Sequence, residues 1–204
     1  MITFKFVIDI TRSNSNNLPA VYLFLSKLFS WLEKEASPEI CAMEKNYMGI
    51  YFGDYDSENG SYVTLFDKGE DFLKNFAEQK IRNGREDGKD DGEDVLNMSI
   101  HAGITPQKDK SVNDIMFLFT DQALEKECEF APADHRQLKG VFLFADFKVN
   151  AKEKDFMNMS FPIQTEERSM EPAIQYDWEI LKDKGIPECI LFPLEKYIKI
   201  SSGK

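Results

Sequence analysis

The sequence has few cysteines and no long apolar run, and each shortage excludes a class of protein. Cys41, Cys128 and Cys189 are odd in number, far apart and form no C-x-x-C pair, so neither a disulfide framework nor a zinc site is predicted. No segment approaches the roughly 18–20 apolar residues of a membrane helix. Asp9 and Arg12 interrupt the apolar N-terminus, so no secretory signal is predicted. We therefore expect a soluble, reduced, cytoplasmic protein.

Basic residues are also in short supply. The formal net charge is −11, and acids are concentrated in residues 86–94. Nucleic-acid backbones and anionic membranes are both bound through basic patches. We therefore expect no nucleic acid and no membrane among the partners, although the charge alone does not identify a partner.

Apolar runs that end in an acid predict buried strands. Such runs are apolar on both faces, as in the central strands of a parallel sheet, and apolar residues at helical spacing separate them. This alternation is typical of βαβ units with right-handed crossovers. The predicted fold class is α/β, with a doubly wound, mostly parallel, Rossmann-like central sheet. The runs and their acids are Phe4–Ile8 with Asp9, Ile115–Phe119 with Asp121, and Val141–Ala145 with Asp146.

The length of 204 residues suits one sizeable domain with a real core. We expect a single domain over residues 1–204, with its core motifs in 4–146. Residues 147–204 either complete the sheet or add an extension. Within that last part we expect a helix from Glu171-Pro172 to Gly185, an edge strand over Cys189–Phe192, and a tail after it.

Two shorter patterns predict local structure near the N-terminal half. Tyr47–Phe52 and Tyr62–Phe66 flank an Asn59-Gly60 turn, which predicts a hairpin. Asp67 followed by Glu70 resembles a capping box for the next helix. Before the first helix, residues 14–17 offer side chains that favour helix capping.

One carboxylate and two hydroxyls follow the first apolar run at alternate positions: Asp9, Thr11 and Ser13. The last side chains of such a strand project into the crevice where open α/β sheets place their sites. Hard oxygen ligands of mixed charge suit Mg²⁺ or Mn²⁺. The alternative is structural, with Asp9 capping the helix that follows.

Two further acidic positions could join this site. If the strands ending in Asp9 and Asp121 are adjacent and parallel, both acids lie at the same edge of the sheet. The glycine-rich acidic stretch 84–94 either is a solvated connector or carries a carboxylate back to a metal.

Four stretches in the right order resemble motifs of von Willebrand factor A domains. Phe6–Ser13 resembles the D-x-[ST]-x-S motif that opens the metal-ion-dependent adhesion site, and Asp114–Asp121 is similar to the later strand ending in T-D. Gly49–Asp56 and Asp90–Val95 are similar to the strand, R-D-Y turn and G-G-D-x-P-E-D-V loop of a branch that includes the alpha-kinase VwkA type. Here Gly92 replaces the proline, and the preceding glycines are mostly lost.

The resemblance implies helices on both faces of the sheet and a divalent cation at the strand tips. Thr11 and Ser13 would touch the metal through their hydroxyls, and Asp9 and Asp121 would hold metal-bound waters. Asp90 would stand where other members use a threonine, with Asp91 a near neighbour that could substitute. The implied cofactor is Mg²⁺ or Mn²⁺, with Ca²⁺ also compatible.

The implied function is protein binding inside a prokaryotic cell, through an acidic side chain that a partner protein presents to the metal. By analogy, stand-alone members of this class belong to larger complexes with ATPases or kinases. We expect no enzyme, because neither His101 nor His135 is paired with a nucleophile.

Three alternatives remain open. The first is a scaffold with a degenerate metal site. The second is an Mg²⁺-dependent phosphohydrolase of the haloacid dehalogenase type, in which Thr11 replaces the general-acid aspartate. The third is a phospho-acceptor receiver domain, although the early acid pair and the late lysine of receivers have no convincing equivalent.

Overall fold

Six strands form one sheet in the computed structural model. The structure describes residues 1–11, 13–53, 61–79, 113–121, 138–145, 163–164, 170–171 and 174–201. The sheet order is β3-β2-β1-β4-β5-β8, and two further short strands, β6 and β7, pair separately. The strands are β1 (Ile2–Asp9), β2 (Lys45–Phe52), β3 (Ser61–Phe66), β4 (Asn113–Phe119), β5 (Leu138–Ala145), β6 (Ile163–Gln164), β7 (Met170–Glu171) and β8 (Ile174–Asp177).

The strand directions confirm the predicted fold class. β1 pairs in parallel with both β2 and β4, β5 pairs in parallel with β4 and β8, and only β3 runs antiparallel to its neighbour β2. The chain first builds outwards from β1 to β3 and then returns to the other side of β1 with β4. This reversal makes the tips of β1 and β4 a topological switch point, where open α/β sheets bind ligands.

The described helices pack against one face of the sheet. Alternate strand residues such as Phe6, Phe117 and Phe142 join the helices in one core, with ring centroids 5.3 Å and 4.7 Å apart across neighbouring strands. The opposite face, which includes Val7 and Leu118, is also buried. The helices are α1 (Leu18–Ser30), continued by a wider π-helical turn (Trp31–Glu35), α2 (Pro38–Ala42), α3 (Gly69–Ala77) and α4 (Glu188–Ser201), with 3₁₀ turns at Ser13–Asn16 and Trp178–Lys182.

Two predictions for the C-terminal part are wrong. Ile174–Asp177 is a strand that extends the sheet beside β5, and a 3₁₀ turn follows where the helix was predicted. The predicted edge strand and the described part of the predicted tail, residues 197–201, belong instead to α4, which contains Pro193 in its interior. Packing overrides the proline because four side chains of α4 at helical spacing are buried in the core: Ile190, Leu194, Tyr197 and Ile198.

The hairpin prediction is confirmed, since β2 and β3 pair antiparallel with Met48 opposite Leu65; its turn lies outside the described residues. The capping box is wrong. The residue before α3 is Lys68, which makes no side-chain cap. The carboxylate of Glu33, far away in the sequence, accepts the Gly69 N–H at 3.2 Å instead.

Gly140 allows α4 to lie close to β5. A Cβ atom at this position would overlap the ring of Tyr197, which is buried. We expect Gly140→Ala to lower the free energy of unfolding by about 1–3 kcal/mol, because overpacking displaces the helix. Chemical denaturation measures the change. Gly185→Ala is the matched control, since its Cβ would meet nothing within 4 Å; equal midpoints for the two variants would contradict the prediction.

Candidate metal site

Asp9 is the last residue of β1 and is completely buried. Both of its carboxylate oxygens accept hydrogen bonds. The Thr11 N–H donates to Oδ1 at 2.9 Å, and the Thr120 hydroxyl donates to Oδ2 at 2.8 Å. The strand end therefore holds a carboxylate in one orientation, with donors from two different parts of the chain.

The two hydroxyls lie beside this carboxylate and beside each other. Thr11 Oγ1 and Ser13 Oγ are 3.0 Å apart, a distance at which either can donate to the other. Thr11 is buried, whereas Ser13 is exposed. The oxygen ligands thus lead from the interior to the surface.

Asp121 lies at the same edge of the sheet, because β4 runs parallel to β1. Ile8 is level with Phe119, which places the residues after them, Asp9 and Thr120, next to each other. The Thr120 N–H continues the sheet by donating to the Phe144 carbonyl at 3.2 Å. The Oδ1 atom of Asp121 is buried and has no hydrogen-bond partner among the described residues.

The electrostatics of this edge favour a proton or a cation. Burial raises the pKa of Asp9 from 3.8 to about 7; the hydrogen bonds from Thr11 and Thr120 oppose the rise, and the charge of Asp121 adds to it. Two carboxylates that repel each other in a place of low dielectric are stabilised by a positive charge between them.

The donor set fits a hard divalent cation. It consists of carboxylate and hydroxyl oxygens only, which suit Mg²⁺, Mn²⁺ or Ca²⁺, and the unpartnered oxygen of Asp121 requires a partner. Within the described ranges, no three histidine, cysteine, aspartate or glutamate side chains are grouped as metal ligands. Any cation here would therefore depend on the hydroxyls of Thr11 and Ser13 as well as on two acids.

The structure brings four of the predicted site residues to this edge: Asp9, Thr11, Ser13 and Asp121. Their role as metal ligands stays a prediction. Asp90 and Asp91 lie outside the described residues, as do Asp146, His101 and His135.

Two residues of the site are not identified as functional by the sequence. In the sequence Thr120 is only the first letter of a T-D pair, yet its hydroxyl donates to the Asp9 carboxylate. The pattern of residues 14–17 predicts helix capping for Asn14, yet its side-chain amide donates to the Asp9 carbonyl at 2.8 Å. The sequence signal for Thr120 is its position as a polar residue directly after a buried strand. No comparable signal identifies Asn14.

No protein-family model matches this chain, and no curated protein matches it. Solved structures with a similar fold include proximal thread matrix protein 1 from the mussel byssus, at 13% identity, 89% coverage of this chain and a TM-score of 0.48. A second structure of that protein, described as having a zinc-occupied MIDAS motif, gives 14%, 89% and 0.47. The open pilus adhesin SpaC from Lactobacillus rhamnosus GG gives 14%, 59% and 0.44.

The chain spans less than half the length of these proteins: 45% of the mussel protein and 14% of SpaC. Similarity at this level does not extend to function. The chemistry of the site therefore rests on its own residues.

Proposed function

We propose that this chain is a protein-binding module of the von Willebrand factor A type, in which a divalent cation at the strand tips engages an acidic side chain of a partner protein. The observation that carries the proposal is the carboxylate of Asp9, buried and fixed by Thr11 and Thr120 beside two hydroxyls and a second carboxylate.

The residues that would hold the cation are Asp9, Thr11, Ser13 and Asp121, with Asp90 or Asp91 completing the set. A bound Mg²⁺ or Mn²⁺ keeps exchangeable waters and so supplies a position for a carboxylate oxygen. Ser13 lies at the surface, so the open side of the site faces solvent, where a partner side chain can enter.

Charge makes such a site selective. A net charge of −11 disfavours acidic partners over most of the surface. The cation would touch the neutral hydroxyls of Thr11 and Ser13, whereas Asp9 and Asp121 would bind it through waters. Neither of these acids would then neutralise the cation by direct contact, so a partner carboxylate is favoured at this one place. This selectivity is why we propose an acidic group as the recognised chemistry.

Binding rather than catalysis is the proposed activity. Thr11 occupies the position where a haloacid dehalogenase phosphohydrolase has its general-acid aspartate, and threonine cannot protonate a leaving group in that way.

We also propose that the module works in the cytoplasm of a prokaryote, within a complex that contains an ATPase or a kinase. No helix in the described part of the chain is long and apolar enough to cross a membrane.

The first test is calorimetric titration of Mg²⁺, Mn²⁺ and Ca²⁺ into the chelator-stripped protein. We expect saturable binding at one site, and its loss in the Asp9→Ala, Ser13→Ala double variant, because that variant lacks the fixed carboxylate and the exposed hydroxyl. Asp67→Ala, an exposed acid outside the site, is the control and should bind like the wild type. A wild type that binds none of the three metals contradicts the proposal.

The second test concerns the partner. A binding module should retain a partner from a lysate in Mg²⁺ and release it in chelator, whereas a scaffold with a degenerate site should keep its partner in chelator. Turnover of a generic aryl phosphate with Mg²⁺, lost in Asp9→Asn, would instead establish a phosphohydrolase.

A further inference from the structure

Asn14 lies between the site and the first helix and is completely buried. Its Nδ2 donates to the backbone carbonyl of Asp9 at 2.8 Å. Its Oδ1 accepts from the side-chain amide of Asn17 at 2.9 Å, and its carbonyl accepts the Asn17 N–H at 2.9 Å. One buried side chain therefore joins the end of β1 to the residue that precedes α1.

These contacts are not those of a helix cap. The N–H groups of Ala20 and Val21 at the start of α1 donate to the backbone carbonyl of Asn17, and Asn17 makes no side-chain cap. An N-cap side chain accepts from such N–H groups, whereas the Asn14 amide donates to a strand carbonyl. Its position is explained by the site rather than by the helix.

Thr11 and Ser13 lie in the short segment between Asp9 and Asn14, whose two end residues are joined by the hydrogen bond from Asn14 to the Asp9 carbonyl. Without the hydrogen bond from Asn14 to the Asp9 carbonyl, the described residues between Asp9 and Asn14 would lose a buried contact with the end of β1. A loop of this kind places its hydroxyls accurately only when a buried contact holds it, since affinity for a metal depends on the orientation of each ligand.

We propose that Asn14 is a positioning residue, which holds the Asp9–Asn14 segment closed and so orients Thr11 and Ser13 relative to Asp9. The consequence for metal affinity rests on the proposed function. The consequence for the order of the segment in the metal-free protein does not, so the two can be tested separately.

The test uses Asn14→Ala, with Asn16→Ala as matched control, because Asn16 lies in the same turn and is exposed. The reporter without metal is hydrogen exchange of the Thr11 amide, which donates to Asp9 Oδ1. We expect Asn14→Ala to exchange this amide at least about 10-fold faster in chelator. Loss of a residue that orients metal ligands typically costs about 10–100-fold in metal affinity, and we expect that loss for Mg²⁺ or Mn²⁺.

Asn17→Ala serves if Asn14→Ala does not fold, as judged by circular dichroism. This variant keeps the hydrogen bond from Asn14 to the Asp9 carbonyl and removes only the one from the Asn17 side chain to Asn14 Oδ1. It should therefore change amide exchange and metal affinity in the same direction as Asn14→Ala, but by less. The proposal is overturned if Asn14→Ala, or Asn17→Ala where Asn14→Ala does not fold, matches Asn16→Ala in amide exchange. If exchange accelerates but the wild type binds no metal, the proposed function fails and the positioning role of Asn14 stands.

Discussion

Replacing Asp9 with asparagine is expected to stabilise the metal-free protein while removing its capacity to bind a cation. The wild-type carboxylate is buried, and its pKa is raised from 3.8 to about 7. At pH 8 the folded protein must therefore hold a buried charge that the unfolded chain exposes to water. Asparagine has a similar shape without the charge: its Oδ1 can still accept from the Thr11 N–H, and its Nδ2 can donate to the Thr120 hydroxyl, which then accepts instead of donating. We expect a gain on the order of 2–4 kcal/mol at pH 8 in chelator.

The sign of the pH dependence provides an independent check. Between pH 4 and 7 the folded wild type retains a proton on Asp9 that the unfolded chain has released. The free energy of unfolding should therefore fall as the pH rises through this range. The fall should be smaller in Asp9→Asn, where Asp114, whose pKa is also raised by burial, still contributes to it. Denaturant titrations at pH 4.5, 6 and 8 in chelator measure it, with Asp67→Asn as an exposed control. A loss of stability in Asp9→Asn at pH 8 would show that the charged carboxylate stabilises the fold.

Breaking the buried ion pair between β1 and β4 is expected to have the largest effect on stability. Lys5 Nζ and Asp114 Oδ2 are 2.6 Å apart, and both side chains are inaccessible to solvent. Burial raises the pKa of Asp114 and Lys5 opposes the rise. Lys5→Met leaves a buried carboxylate without its cation, so we expect a loss of about 3–5 kcal/mol.

The double variant Lys5→Met, Asp114→Leu separates the pair from the cost of an unpaired charge. An apolar pair of similar volume avoids the desolvation of both ions, so we expect stability equal to or above that of the wild type. Metal affinity should be unchanged, because Lys5 precedes Asp9 by four residues, roughly 13 Å along a strand. A double variant as unstable as Lys5→Met would contradict this account, because removing the unpaired carboxylate would then have recovered no stability.

The central strands could be predicted from the sequence, because their signal is local. Ile115–Phe119 is wholly apolar, and Phe4–Ile8 is apolar except for Lys5. Runs of this kind have few other stable placements than the interior of a parallel sheet. Once those strands are parallel neighbours, the acids that follow them must meet at one edge. The candidate ligands Asp9, Thr11, Ser13 and Asp121 were therefore within reach of sequence reasoning.

Contacts between distant residues were not predictable in this way. The carboxylate that caps α3 comes from Glu33, and the hydroxyl that orients Asp9 comes from Thr120, 111 positions along the chain. Lys5 is a charged residue in the middle of a buried strand, and only the register with β4 shows that Asp114 compensates for it. No local pattern encodes such a partner.

The sequence by itself determined the strand interiors, the hairpin and the place of the candidate site, since periodicity and composition act within a few residues. The tertiary structure decided which side chain satisfies each buried polar group. Asn14, which the sequence predicts to cap a helix, instead donates a hydrogen bond to the end of β1. The segment around Pro193, which the sequence predicts to be an edge strand, is helical. The physical reason is the same in both cases: the free energy of burying a group depends on the neighbours that the fold brings to it.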